Sequence, residues 1–128
     1  MTAPPIELVL LKQVAGYLAM PVFVVDEHGA LEFYNEPAEE LLGKRYEETG
    51  RIPLETWVNI WVPMDADGNP LPLDEVPLPR AVRERRPVVG TIWIRVPDGR
   101  LREITITALP LEGSDGSSLG GFAIFWEA

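Results

Sequence analysis

The chain has 128 residues, 46% of them hydrophobic and 24% charged, which is the size and composition of one folded domain around one core. A formal net charge of −9 repels phosphate backbones and anionic bilayer surfaces, so neither nucleic acid nor a membrane is expected as a partner. Cysteine is absent, which removes disulfides, thiolate metal sites and thiol nucleophiles and points to a reducing cytoplasm.

Pro4 and Pro5 can open a helix in which apolar residues recur at Ile6, Val9, Leu10, Val14, Tyr17 and Leu18. That amphipathic N-terminal helix is expected to run to Met20, because Pro21 disfavours helical backbone in the residue before it. Its apolar run Leu8 to Leu11 has no basic leader and is broken by Lys12 and Gln13, so it reads as neither a signal peptide nor a membrane span.

Val22 to Asp26 and Ala30 to Tyr34 read as a β-hairpin about the Glu27-His28-Gly29 turn. Asn35 is placed to cap a short helix that carries Leu41 and Leu42 and stops at Gly43. Leu54, Trp57, Val58 and Trp61 have helical spacing, although Trp57 to Val62 also admits an extended reading. The proline-rich stretch Pro63 to Pro79 reads as an ordered loop, and Leu78 to Arg86 as a charged helix ended by Pro87.

Three longer strand-like runs follow, Val88 to Val96, Leu101 to Leu109 and Leu119 to Trp126, joined at Pro97-Asp98-Gly99-Arg100 and across Gly113 to Ser118. The order predicts an α+β domain: a five-stranded antiparallel sheet with short helices on one face, residues 1–20 forming a flanking helix and 21–128 the domain proper.

These elements resemble a PAS (Per-Arnt-Sim) domain, the sensory and interaction module of many signalling proteins, over nearly the whole chain. The resemblance is carried by Pro21 to Asp26 with Gly29 and Phe33-Tyr34-Asn35, by Asn35 to Gly43 with its Leu-Leu-Gly ending, and by Asp67-Gly68 and Pro77-Leu78. Arg80-Ala81-Val82, Pro97 to Arg100, Pro110-Leu111 and Gly120-Gly121-Phe122 extend it. Family members that drive an attached effector usually end in an Asp-x-Thr connector, whereas this sequence ends Phe125-Trp126-Glu127-Ala128. The chain therefore resembles either a freestanding PAS protein or a single domain excised from a larger one.

The resemblance also says what chemistry to look for. The light-sensing branches of the family form their adducts on a cysteine, which is missing here, and haem-binding members commonly ligate iron from a histidine on the helix at Leu78 to Arg86, which has none. The single histidine, His28, falls in a turn and reads as solvent-exposed. Asp65, Asp67, Gly68 and Asp74 imitate part of a calcium loop, but Pro63 occupies the first ligand position and a plain turn is expected instead. Glu39-Glu40 and Glu47-Glu48 read as solvated helix faces rather than acid and base pairs. No catalytic and no metal-binding residue is therefore predicted.

Two places for binding remain. The period of two in the strands puts Ile92, Ile94 and Val96 opposite Thr91, Trp93 and Arg95, and sets Ile104, Ile106 and Ala108 against Glu103, Thr105 and Thr107. With Trp57 and Trp61, the residues Ile92, Ile94, Ile104 and Ile106 are candidate cavity lining, able to take a small metabolite or a non-covalent flavin, or simply to fill a solid core. The last strand is apolar on both sides, so its second face needs a cover from the N-terminal helix, in its own chain or across to a second copy. Leu10, Val14, Tyr17, Trp93, Phe122, Ile124 and Trp126 are the candidate homodimer contacts. The leading expectation is a signalling module acting by homodimerisation and binding of a signalling partner; a cavity-based ligand sensor is the alternative, and a small enzyme with an inward carboxylate a remote third.

Overall fold

The computed structural model describes residues 5–127. Pro5 stands at the N-cap of α1 (Ile6–Tyr17), where its fixed φ of −55° suits entry into a helix. Among the described residues, no helix is long and apolar enough to cross a membrane.

α1 ends three residues earlier than Pro21 alone predicts. The N–H of Leu18 closes a tight bond to the Ala15 carbonyl at 3.2 Å, and Leu18 itself is extended with ψ 143°. The side chain of Asn35 takes the Ala15 and Met20 carbonyls at 2.9 and 2.8 Å, so this buried end of the helix is satisfied from outside it. β1 (Val22–Val25) and β2 (Leu31–Tyr34) form the expected hairpin. In α2 (Glu36–Leu42), the Asn35 side chain caps by accepting from the Ala38 N–H at 3.2 Å, and Gly43, at φ 75°, provides the left-handed stop.

α3 (Tyr46–Thr49) and α4 (Leu54–Ile60) follow, then β3 (Val62–Met64), a 3-10 turn at Leu73–Glu75 and α5 (Pro77–Glu84). The extended reading of Val62 is realised as β3, which pairs Val62 with Arg95 and Met64 with Trp93. The sheet therefore has six strands rather than the five expected. The sixth was hidden because Pro63 sits inside a three-residue run; a proline is tolerated at such a sheet edge. α5 ends at Glu84 instead of running to Arg86, because Arg85 turns left-handed at φ 54°.

β4 (Val88–Arg95), β5 (Leu101–Glu112) and β6 (Ser118–Glu127) make the expected meander. The strand order is β2-β1-β6-β5-β4-β3, and every pairing is antiparallel. β6 is central, so it lies close to strands on both sides. At Gly120, φ 110°, a Cβ would overlap the Val25 carbonyl, and at Gly121 a Cβ would come within 2.6 Å of the Leu109 oxygen.

The sheet has two apolar faces. Inward, Phe23, Ile92, Ile94, Ile104, Ile106, Ala123 and Phe125 pack with residues of α2, α4 and α5. Outward, Val22 and Val24 are buried with Leu8 and Ala15 of α1, and Leu11, Phe33, Phe122 and Ile124 pack around them. α1 thus covers the outer face of β1 and β6 within its own chain, which explains why all four residues of β1 are buried.

Candidate functional site

The isoleucines of β4 and β5 point inward because their alternation matches the pleat, and Ile92 pairs directly with Ile104. Helix α4 carries Trp57 against them, with Trp61 just past its end. The resulting cavity is lined by Trp57, Trp61, Ile92, Ile94, Ile104 and Ile106 together, with Phe23, Leu42, Pro63, Val76, Pro77, Leu78, Ala123 and Phe125 completing the wall. Sequence pattern located six of these residues and missed the rest. Strand parity alone could have found Phe23 and Phe125, and the apolar side of the short helix could have offered Leu42, whereas Val76 and Leu78 come from a loop and a helix start with no periodic signal.

The cavity is small and contains no polar side chain. Its volume is about 60 Å³, well below the ~300 Å³ at which ordinary small-molecule sites begin. Both tryptophan N–H groups are committed elsewhere: Trp57 Nε1 donates to the Gly29 carbonyl and Trp61 Nε1 to that of Leu42, each at 2.9 Å. Phe23 holds the cluster together, its ring 5.1 Å from Trp57 and 6.0 Å from Trp61, both edge to face. No carboxylate lines the space, so nothing there is placed to accept or deliver a proton.

The second location is the outer face. On α1 the buried residues are Leu8 and Ala15, while Ile6, Leu10, Val14 and Tyr17 face solvent, Tyr17 at 91% exposure. Helical spacing puts these four on one side. Of the strand residues expected in an interface, Phe122 and Ile124 lie partly buried beneath α1 of the same chain, Trp93 is half-buried, and Trp126 is exposed. Leu10, Val14, Tyr17 and Trp126 therefore remain free, whereas Phe122 and Ile124 are already covered.

Several titratable groups outside these two locations have structural partners. Burial pushes the Asp26 carboxyl up, but Arg51 and the His28 and Ala30 amides outweigh it and hold it below the usual carboxylate range. Arg51 also reaches Glu32 at 2.9 Å, and Lys12 of α1 meets Glu32 at 3.5 Å. The side chain of His28 is exposed beside Glu27. Asp65 accepts the Asp67 and Asn69 amides and so closes its own turn. Glu39 accepts the Tyr46 N–H at 2.6 Å, and Glu47 pairs with Arg45.

A curled antiparallel sheet with short helices over one face, an aromatic and aliphatic interior and an N-terminal helix across the other face defines the architecture of a PAS domain. Solved structures of PAS and LOV domains match it. The PAS domain of a protein from Colwellia psychrerythraea is 19% identical, with a TM-score of 0.66 over 94% of this chain and 96% of that one. The PAS domain of nitrogen regulation protein NR(II) from Vibrio parahaemolyticus is 15% identical, with a TM-score of 0.64 over 93% and 98%. The Rhodobacter sphaeroides LOV protein is 10% identical, with a TM-score of 0.72 over 96% and 68%. No family model and no curated protein matches the sequence. The chain has the PAS fold.

Proposed function

We propose that this domain is a sensory signalling module of the cytoplasm that acts by protein association, with a second copy of itself docking on the outer face of α1. The observation that carries the reading is the exposed stripe Ile6, Leu10, Val14 and Tyr17. A chain of net charge −9 repels its own copies over most of its surface. An uncharged stripe is where that repulsion is weakest, and a two-fold axis through it would set the same residues against each other. Trp126, exposed further along the same side of the sheet, extends the apolar contact. Light scattering at high micromolar concentration tests this: a dimer converted to monomer by Leu10→Glu is expected, and a monomeric wild type overturns the reading. A signalling partner would then recognise the dimer, and pull-down with the Leu10→Glu variant as control reads that step.

A second reading rests on the cavity. Its wall offers no free hydrogen-bond donor or acceptor side chain, both tryptophan N–H groups being bonded to backbone carbonyls, and its volume is about 60 Å³, which favours a small apolar guest over a flavin or a polar metabolite. Absence of a carboxylate in that wall likewise favours binding over catalysis. Quenching of Trp57 and Trp61 fluorescence by dissolved xenon, together with an absorption spectrum of the freshly purified protein, tests it. Xenon quenching without flavin bands is expected; a flavin spectrum would overturn it.

A further inference from the structure

A recess of about 420 Å³ opens on the surface, apart from the core cavity, between the β1–β2 turn, the start of α4, the 3-10 turn and α5. Its volume falls among those of small-molecule sites, ~300 to 1,000 Å³. Leu54, Leu73 and Val82 give it an apolar lining, and Leu73 is a large apolar residue left about half exposed. Arg83 and Arg85 bring cationic groups to the same space.

The charge there runs against that of the whole chain. Positions 80 to 86 hold four arginines and one glutamate, in a protein of net charge −9. Glu84 is shared by three of them, at 2.9 Å from Arg80, 3.3 Å from Arg83 and 2.6 Å from Arg86. One carboxylate cannot neutralise three guanidinium groups, and no carboxylate among the described residues pairs with Arg85. The acid in the lining, Glu27, stands 3.6 Å from His28 Nε2.

Arg85 is also held in position. It is the one described non-glycine residue with positive φ, and its Nη1 donates to the Gly116 carbonyl of the β5–β6 turn at 2.8 Å. A guanidinium has five N–H donors, so that bond anchors the group and leaves others for a ligand. Two cations beside an apolar wall match a molecule that carries an anionic group on an apolar body.

We propose that this recess binds a small amphiphilic carboxylate, its carboxylate on Arg83 and Arg85 and its aromatic or branched body against Leu54, Leu73 and Val82. The site is independent of the association surface on α1, so either can fail without the other.

Amide NMR titration of the full chain tests it with three probes: phenylpropionate, its uncharged analogue phenylpropanol, and inorganic phosphate. Saturable shifts from phenylpropionate are expected at Glu27 to Gly29 and Val82 to Arg85, with phenylpropanol and phosphate each binding about tenfold more weakly, as loss of one charge-assisted contact or of the apolar contact predicts. Arg85→Gly keeps the left-handed turn without strain and removes the guanidinium, so it should fold normally and lose about tenfold in affinity. Arg83→Gln should weaken binding by a similar factor. Equal binding of phenylpropanol, equal binding of phosphate, unchanged affinity in both variants, or an absence of shifts in these two segments overturns the proposal.

Discussion

The side-chain nitrogen of Asn35 donates to the Ala15 carbonyl at 2.9 Å, joining the capping residue of α2 to the end of α1. The same amide donates to Met20, and its oxygen accepts from Val22 and Ala38 at 2.9 and 3.2 Å. Asn35 is the one buried polar side chain among the described residues, and three of these four bonds tie separate segments to the start of α2.

Asn35→Ala should therefore cost about 3 kcal/mol or more, since it strands buried donors and acceptors at ~1 to 3 kcal/mol each. Urea unfolding followed by tryptophan fluorescence measures it. Limited proteolysis should show α1 cut first, because Ala15 and Met20 lose their anchor; a variant as stable as the wild type would show that the four bonds carry no net stability.

Gly120 and Gly99 both have positive φ, 110° and 91°, yet only Gly120 is crowded, with the Val25 carbonyl in the place of a Cβ. Gly99→Ala should cost about 1 kcal/mol, the ordinary penalty for a left-handed residue. For Gly120→Ala the expected loss exceeds about 4 kcal/mol, because the β1–β6 pairing must separate to admit the methyl group. Thermal melts of the two variants side by side distinguish these outcomes.

Leu8 and Leu10 stand two positions apart on opposite sides of α1, at 4% and 52% exposure. Leu8→Ala should destabilise by about 2 to 4 kcal/mol through the cavity it leaves. Leu10→Ala should change folding stability by less than about 0.5 kcal/mol while weakening self-association, which sedimentation velocity would read. Similar unfolding costs for both would place the docked face elsewhere.

Acid stability follows from two carboxylates. Arg80 first, and Arg86 after it, hold Glu84 down to about 2 against the opposing effect of desolvation, and Asp26 is held low by Arg51 and two amides. A folded-state value below the unfolded one stabilises the protein above the unfolded value and loses that contribution as pH falls toward the folded one. Stability should thus be flat near neutrality and decline from about pH 4.5 downward. Asp26→Asn should flatten part of that decline, as read from urea midpoints across the acid range; an unchanged slope would mean that Asp26 is not linked to folding.

Much of the interior was legible because strand side chains alternate. The pairs Ile92 and Ile94, and Ile104 and Ile106, each sit two apart opposite polar neighbours, and a register that buries one buries all. The Asn35 cap and Gly43 stop could be read for a similar reason, since local backbone geometry demands those residue types. β3 could not, because it is a three-residue run with Pro63 at its centre whose partner β4 lies far along the chain, beyond α5.

What the sequence determined by itself is the order of the longer helices and strands, the inward face of the long strands and the absence of cysteine chemistry. Tertiary structure decided which side of α1 docks, since that helix is apolar on both, and the choice of Leu8 and Ala15 over Leu10 and Val14 depends on the outer faces of β1 and β6. It also decided that Trp57 and Trp61 close around about 60 Å³ rather than filling it or opening a larger space. Periodicity is a local property written along one segment, whereas a cavity volume is the small difference left when fourteen side chains from separate segments fail to meet.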